Sequence, residues 1–172
     1  MKCLIHTKRL KLIPFDLEDS KIFLELNNNP FIRKYLWDDE MISQETCDDI
    51  IRQNQAYFNK SGYGLWKINE IDGKHIVGYV GLWYFFEEPQ PQLIYALLPA
   101  FTKKGYAKEA GLAIVEFAFN HLGFSYLTAA TDEPHKASQN VALSIGMEFL
   151  EKRIENEKPT LFYRINKDVN LK

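Results

Sequence analysis

Apolar positions along this chain change their period repeatedly, and each change marks an element. From Arg9, "RLKLIPF" alternates polar and apolar residues, which predicts a half-buried first strand ending near Pro14. Asp16 is placed to cap a helix through "LEDSKIFLELNNN", which gives way around Pro30. "PFIRKYLW" then reads as a short turn. Ser43 opens "SQETCDDIIRQNQAYFNKSG" as an N-capped helix, with Glu45 in its first turn and Ile50, Ile51, Tyr57 and Phe58 suiting it.

From Tyr63 the pattern turns β-rich. "GLWKINEIDGKHIVGYVGLWYF" is two strand-like runs about Asp72-Gly73, a strong hairpin signal. "LIYALL" is a continuous apolar run of strand length, expected as a central strand, with Pro89 and Pro91 interrupting pairing before it. "KKGYAKEAGLAIVEFAFNHLGF" returns to helical period, with Ala107, Ala110, Gly111, Ile114, Ala118 and Leu122 on one face. "YLTAAT" predicts a strand, "HKASQNVALSI" a short helix, and "MEFLEKR" and "TLFYRIN" the last strands. That order gives a mixed α/β or α+β sheet. No repeat or linker divides it, so residues 1–172 are expected as one domain.

Composition narrows the function classes. Hydrophobic residues at 46% and charged ones at 26% are usual for a globular protein, and a formal charge of −2 disfavours direct nucleic-acid binding through bulk charge. Cys3 and Cys47 lack metal-ligand spacing and read as free thiols of a reducing compartment. The N-terminus has no signal-peptide core and no run approaches membrane-spanning length, so a cytoplasmic protein without membrane contact is the expectation.

The candidate chemistry lies in "PAFTKKGYAKEA". A helix start leaves backbone N–H groups unpaired at its positive end, and this one is preceded by Lys103, Lys104 and Gly105 and contains Lys108. Gly105 and Ala107 let a ligand approach the backbone. The arrangement reads equally as an anion site or as a solvated basic turn. Neither a G-x-x-x-x-G-K-[ST] loop nor a strand–G-x-G-x-x-G–helix unit is present, which argues against the common nucleotide cradles.

Three stretches in order, "TKRLKLIPF", "KKGYAKEA" and "HKASQNVALSIGMEF", resemble the GNAT N-acetyltransferases, and within them the RimJ/RimL-like branch of ribosomal-protein N-terminal acetyltransferases. The matching segments are T-x-R-L-x-L-x-P, G-[YF]-A-x-E-A, and N-x-x-S followed by a Gly, over Thr7 to about Phe162. The resemblance implies a twisted, mostly antiparallel sheet with a splayed strand pair, flanked by helices. It also implies acetyl-CoA as cofactor, with the pantetheine arm near Leu97 and Leu98. The pyrophosphate would lie on the N–H groups of Lys103, Lys104, Gly105, Tyr106, Ala107 and Lys108, with His135 beside it.

Several positions depart from the family pattern. Thr102 replaces its Gln/Arg, Lys103 a glycine, His135 the Asn of N-x-x-S, Gln92 an acidic residue at the strand start, and Ala142 a proton-donating Tyr. Ser138 is then the candidate for protonating the thiolate, a helix N-cap or first-turn role being the alternative, and Glu88 a candidate helper for a water-relayed base. The acceptor amine, a protein N-terminus or a small amine, is expected among Tyr35, Trp37, Trp66, Trp83, Tyr84, Phe85 and Phe86, with Asp38, Asp39 and Glu40 nearby. A catalytically silent acyl-CoA-binding module is the alternative reading.

Overall fold

The computed structural model describes residues 3–168. Five antiparallel strands pair in chain order: β1 (Ile5–His6), β2 (Leu10–Pro14), β3 (Leu65–Glu70), β4 (Ile76–Trp83) and β5 (Gln92–Leu97). A second antiparallel ladder holds β6 (Tyr126–Asp132), β7 (Glu148–Glu155) and β8 (Lys158–Asn166), with β8 in the middle. The strand expected to be central, β5, is an edge of the first ladder and sits beside β6, an edge of the second. Its apolar character has another cause, because helices cover both of its faces. Leu93 and Leu97 enter the core beneath α4 (Tyr106–Asn120), while Ile94 and Ala96 pack toward the opposite helices.

Those opposite helices are α1 (Ser20–Asn28), α2 (Pro30–Leu36) and α3 (Gln44–Ser61). Asp16 caps the short 3-10 turn Leu17–Asp19 that leads into α1, in a reciprocal box with Asp19. The expected turn at "PFIRKYLW" is instead α2. Asn29 accepts a hydrogen bond from the Phe31 N–H at 3.0 Å, and Pro30 occupies the first helical position, where its missing N–H costs nothing. Proline there begins a helix rather than breaking one.

Side-chain alternation divides the core. Val80 and Leu82 face α4, whereas Tyr79 joins Phe15, Phe23, Leu26, Ile32, Cys47 and Ile51 on the side of α1–α3. Asn54, wholly buried in α3, fastens that helix to the sheet. Its Nδ2 donates to the carbonyls of Phe15 and Leu65, and its Oδ1 accepts from the Leu65 N–H at 2.7 Å. The hairpin turn falls at Asp72-Gly73 as expected, with Gly73 at φ 74°.

On the buried side of α4, Ala110, Gly111, Ile114, Val115, Ala118 and Phe119 pack inward. The last helix, α5 (Lys136–Ile145), lies against α4 through Gly111, where a Cβ would come within 2.5 Å of Ile145 Cδ1. This close helix pair brings the N-termini of α4 and α5 to the same opening between β5 and β6.

Candidate active site

A continuous cleft of about 920 Å³ runs along the gap between β5 and β6. One end is formed by Thr102, Lys103 and Gly105 to Lys108, at the start of α4. Gly105 is the N-cap, at φ 79°, and no side chain caps the helix. The first-turn N–H groups are therefore left to another acceptor. Lys103, Lys104 and Lys108 are exposed and none is ion-paired among the described residues. A helix dipole, uncapped amides and unpaired lysines together fit a phosphate-bearing group.

The loop that leads into α4 is held from the first strands. Glu109, in the first turn of α4, accepts from Thr7 Oγ1 at 2.6 Å, the Arg9 N–H at 2.8 Å and Arg9 Nε at 2.6 Å. Arg9 Nη1 donates to the Lys104 carbonyl at 2.8 Å, and its guanidinium lies over the Tyr106 ring. Burial pushes the Glu109 carboxyl up, but these hydrogen bonds and the Arg9 charge more than reverse it and hold its pKa below the usual value. Thr7, Arg9 and Glu109 all belong to motifs quoted from the sequence, but nothing in their spacing, about 100 residues apart, shows that they meet.

Midway along the cleft, Ser138 in the first turn of α5 faces Tyr95 of β5. The Tyr95 hydroxyl donates to the Ser138 carbonyl at 2.8 Å, and Ser138 Oγ donates to the same hydroxyl at 3.4 Å. Burial pushes the Tyr95 phenol up to about 12, so it stays protonated at neutral pH. Sequence reading missed Tyr95, since an apolar strand gives no sign of which tyrosine meets a serine 43 residues away. The N-cap of α5 is His135, and Ser138 holds the first-turn position that is the alternative reading for it. The His135 ring stacks on Tyr35 of α2, with centroids 3.9 Å apart and planes 10° apart. Burial, aided by the nearby Lys34 charge, lowers its pKa and favours the neutral imidazole.

The far end of the cleft is aromatic and apolar, formed by Phe31, Ile32, Tyr35, Leu36, Phe85, Phe86 and Ile94. Of the other aromatics expected here, Trp66 is wholly buried in the core, Trp37 bonds Asn27, and Tyr84 bonds Tyr63. Asp38 lines this end but is ion-paired with Lys158, while Asp39 pairs with Arg33. Asp132, at the end of β6, also lines it and has no ion-pair partner among the described residues; burial raises its pKa despite nearby Lys158.

Leu97, Lys103, Gly105, Tyr106, Ala107, Lys108, His135 and Ser138 thus share one cleft. Three sequence candidates lie outside its lining. The Leu98 amide is bonded to the Val77 carbonyl, and the Lys104 ammonium sits over the Phe101 ring. Glu88 accepts from Arg153 Nη2 at 2.5 Å, so its carboxylate is already engaged in an ion pair.

Residues 9–148 match the family described as Acetyltransferase (GNAT) domain. The chain is 23% identical over 146 residues to Bacillus subtilis YoaA, described as an uncharacterized N-acetyltransferase, covering 84% of this chain and 82% of that one. It is 24% identical over 162 residues to an Aspergillus fumigatus FsC-acetyl coenzyme A-N(2)-transacetylase, covering 86% and 66% of the two chains. Its fold is similar to an acetyltransferase from Agrobacterium tumefaciens, with TM-score 0.81, 22% identity and coverage of 95% and 94%. It is also similar to RimL, a ribosomal L7/L12 alpha-N-protein acetyltransferase in complex with coenzyme A, with TM-score 0.80, 16% identity and coverage of 97% and 99%.

Proposed function

Because the chain belongs to the GNAT acetyltransferase family and is an acyltransferase using acetyl-CoA, we propose that it acetylates an amine held at the aromatic end of the cleft. One observation carries this reading. The uncapped, lysine-flanked start of α4 and the aromatic pocket are opposite ends of one cleft, with Ser138 and Tyr95 between them.

Acetyl-CoA supplies an activated acetyl group as a thioester. Lys103, Lys108 and the N–H groups of Tyr106, Ala107 and Lys108 would hold its phosphates, and Leu97 and Ala107 would flank the arm. Lys104 acts from outside the lining as part of the positive field, while its carbonyl anchors the loop to Arg9. Ser138 Oγ supplies a proton to the departing sulfur, and Tyr95 fixes the turn of α5 that carries it. His135, neutral and stacked on Tyr35, walls the cleft between the two ends.

Proton removal from the acceptor falls to Asp132, reached through water, which among the described residues is the one cleft carboxylate both unpaired and raised in pKa. Asp38 and Glu88 are already engaged by Lys158 and Arg153. The acceptor is drawn from amines with an apolar portion, at a peptide N-terminus or in a small molecule, because aromatic rings form most of that pocket.

The test is release of CoA from acetyl-CoA by the purified protein against a panel of peptides and small amines. Acceptor-dependent release with the acetyl group found on nitrogen is the expected result. Binding of acetyl-CoA without turnover on any amine would overturn the proposal.

A further inference from the structure

Gln92, the first residue of β5, is 1% exposed, and neither its Nε2 nor its Oε1 has a hydrogen-bond partner among the described residues. Interiors rarely leave both edges of a carboxamide unpaired, because the lost hydration is then uncompensated. Half-buried Asn69 leaves its Oδ1 without a partner among the described residues, but the other fully buried carboxamides are paired. Asn27 bonds the Phe23 carbonyl, Trp37 and Tyr79; Asn54 bonds Phe15 and Leu65; and Gln139 bonds the Glu133 carbonyl. Gln92 differs from them in lining the cleft, at the end shared with Phe31, Tyr35, Phe85 and Phe86. It alternates with Ile94 and Ala96 on the β5 face directed toward α1–α3.

We propose that Gln92 selects the acceptor by pairing its carboxamide with a neutral amide on the amine substrate, and this rests on the acetyl-transfer reading above. A carboxamide presents a donor edge and an acceptor edge side by side, and its complement is another amide. An ammonium or a hydrocarbon would leave Nε2 unpaired, and a carboxylate would set negative charge against Oε1. Polyamines and free amino acids are therefore disfavoured. Gln92 precedes Tyr95 by three residues, ~10 Å along the strand, and the two side chains leave opposite faces of β5. Gln92, Tyr95 and Ser138 line the same cleft, so the amide it reads belongs to the same acceptor molecule as the reacting nitrogen, as a peptide bond near an N-terminus does. The aromatic lining matches an apolar first side chain.

The test compares two acceptors, phenylalanyl-glycinamide and its analogue with CH₂–CH₂ in place of the first amide, on the wild type and on Gln92→Met. The wild type should favour the peptide by about tenfold or more in kcat/KM, since a polar site rejects analogues that leave it unpaired. Gln92→Met should bring that ratio close to one, with acetyl-CoA affinity unchanged and the thermal midpoint unchanged or raised. Gln92→Leu, close in size and lacking both edges, should also collapse the ratio, and serves if the methionine variant does not fold. Equal rates for the two acceptors in the wild type, a ratio retained in either variant, or turnover confined to amines lacking an amide would overturn the proposal. Loss of acetyl-CoA binding by the wild type would instead bring down the acetyl-transfer reading itself.

Discussion

Replacing Glu109 with Gln separates the loop clamp from the rest of the fold. Thr7 Oγ1 and the Arg9 N–H both donate to Glu109 Oε1, and only Arg9 Nε uses Oε2. A glutamine with its carbonyl oxygen in the Oε1 place keeps the first two bonds. Its amide nitrogen then opposes Arg9 Nε, donor against donor. A hydrogen bond to a charged group is worth about 1.5–3 kcal/mol. The Arg9 side chain is 42% exposed against 17% for Glu109, so solvent screening reduces the loss to about 1–2 kcal/mol.

For a chain of this length that lowers the thermal midpoint by about 2–8 °C. If the clamp also fixes the 103–105 loop for its ligand, acetyl-CoA affinity falls by up to about 5–30-fold. Calorimetric titration alongside thermal melts reads both quantities. Thr7→Val is the control: it removes one bond to Oε1 but leaves Arg9 on the Lys104 carbonyl, so affinity should hold. A lowered midpoint with unchanged affinity in Glu109→Gln would refute the link between clamp and ligand. The carboxyl pKa is depressed in the fold, so its contribution is present above the unfolded value near 4.3 and is lost as pH falls through the folded one. Glu109→Gln should flatten acid destabilisation in that window.

Ser138→Ala should lower kcat by roughly 10²–10⁴-fold while leaving the dissociation constant for acetyl-CoA nearly unchanged, and an unchanged kcat would remove Ser138 from proton transfer. Asn54→Ala strands the Phe15 carbonyl and the Leu65 N–H, the Leu65 carbonyl keeping its bond from the Phe15 N–H, and should cost about 2 kcal/mol or more in urea unfolding; a loss below about 1 kcal/mol would contradict the bonding described. His135 has a lowered pKa, so stability should fall as pH drops through the ordinary value near 6.5 toward the folded one. His135→Phe should shrink the difference in urea midpoint between neutral pH and about pH 5, and an undiminished difference would place that pH dependence elsewhere.

Much of the fold is legible in the sequence because period and punctuation act locally. The Asp72-Gly73 hairpin, the Ser43 cap of α3 and the helix after Gly105 all follow from short-range signals. Pro30 shows the limit, since the same proline ends one helix and begins the next once Asn29 caps it. β5 shows another: an apolar run reports that both faces are covered, not whether strands or helices cover them. In the site, the lysine-flanked start of α4 is a local feature and so is legible in the chain. The pairings of Glu109 with Arg9, Ser138 with Tyr95, and Glu88 with Arg153 join distant segments, and no spacing in the chain encodes them. In the sequence Gln92 shows only as a replacement for an acid; its unpaired burial is a property of packing.

The central claim is that the start of α4 holds the phosphates of acetyl-CoA. Calorimetric titration of CoA into the wild type and into the double variant Lys103→Glu, Lys108→Glu tests it most directly. Saturable one-to-one binding by the wild type, weakened by more than about tenfold in the folded double variant, is the predicted result. Equal affinity in both proteins, or no binding by the wild type, would contradict it.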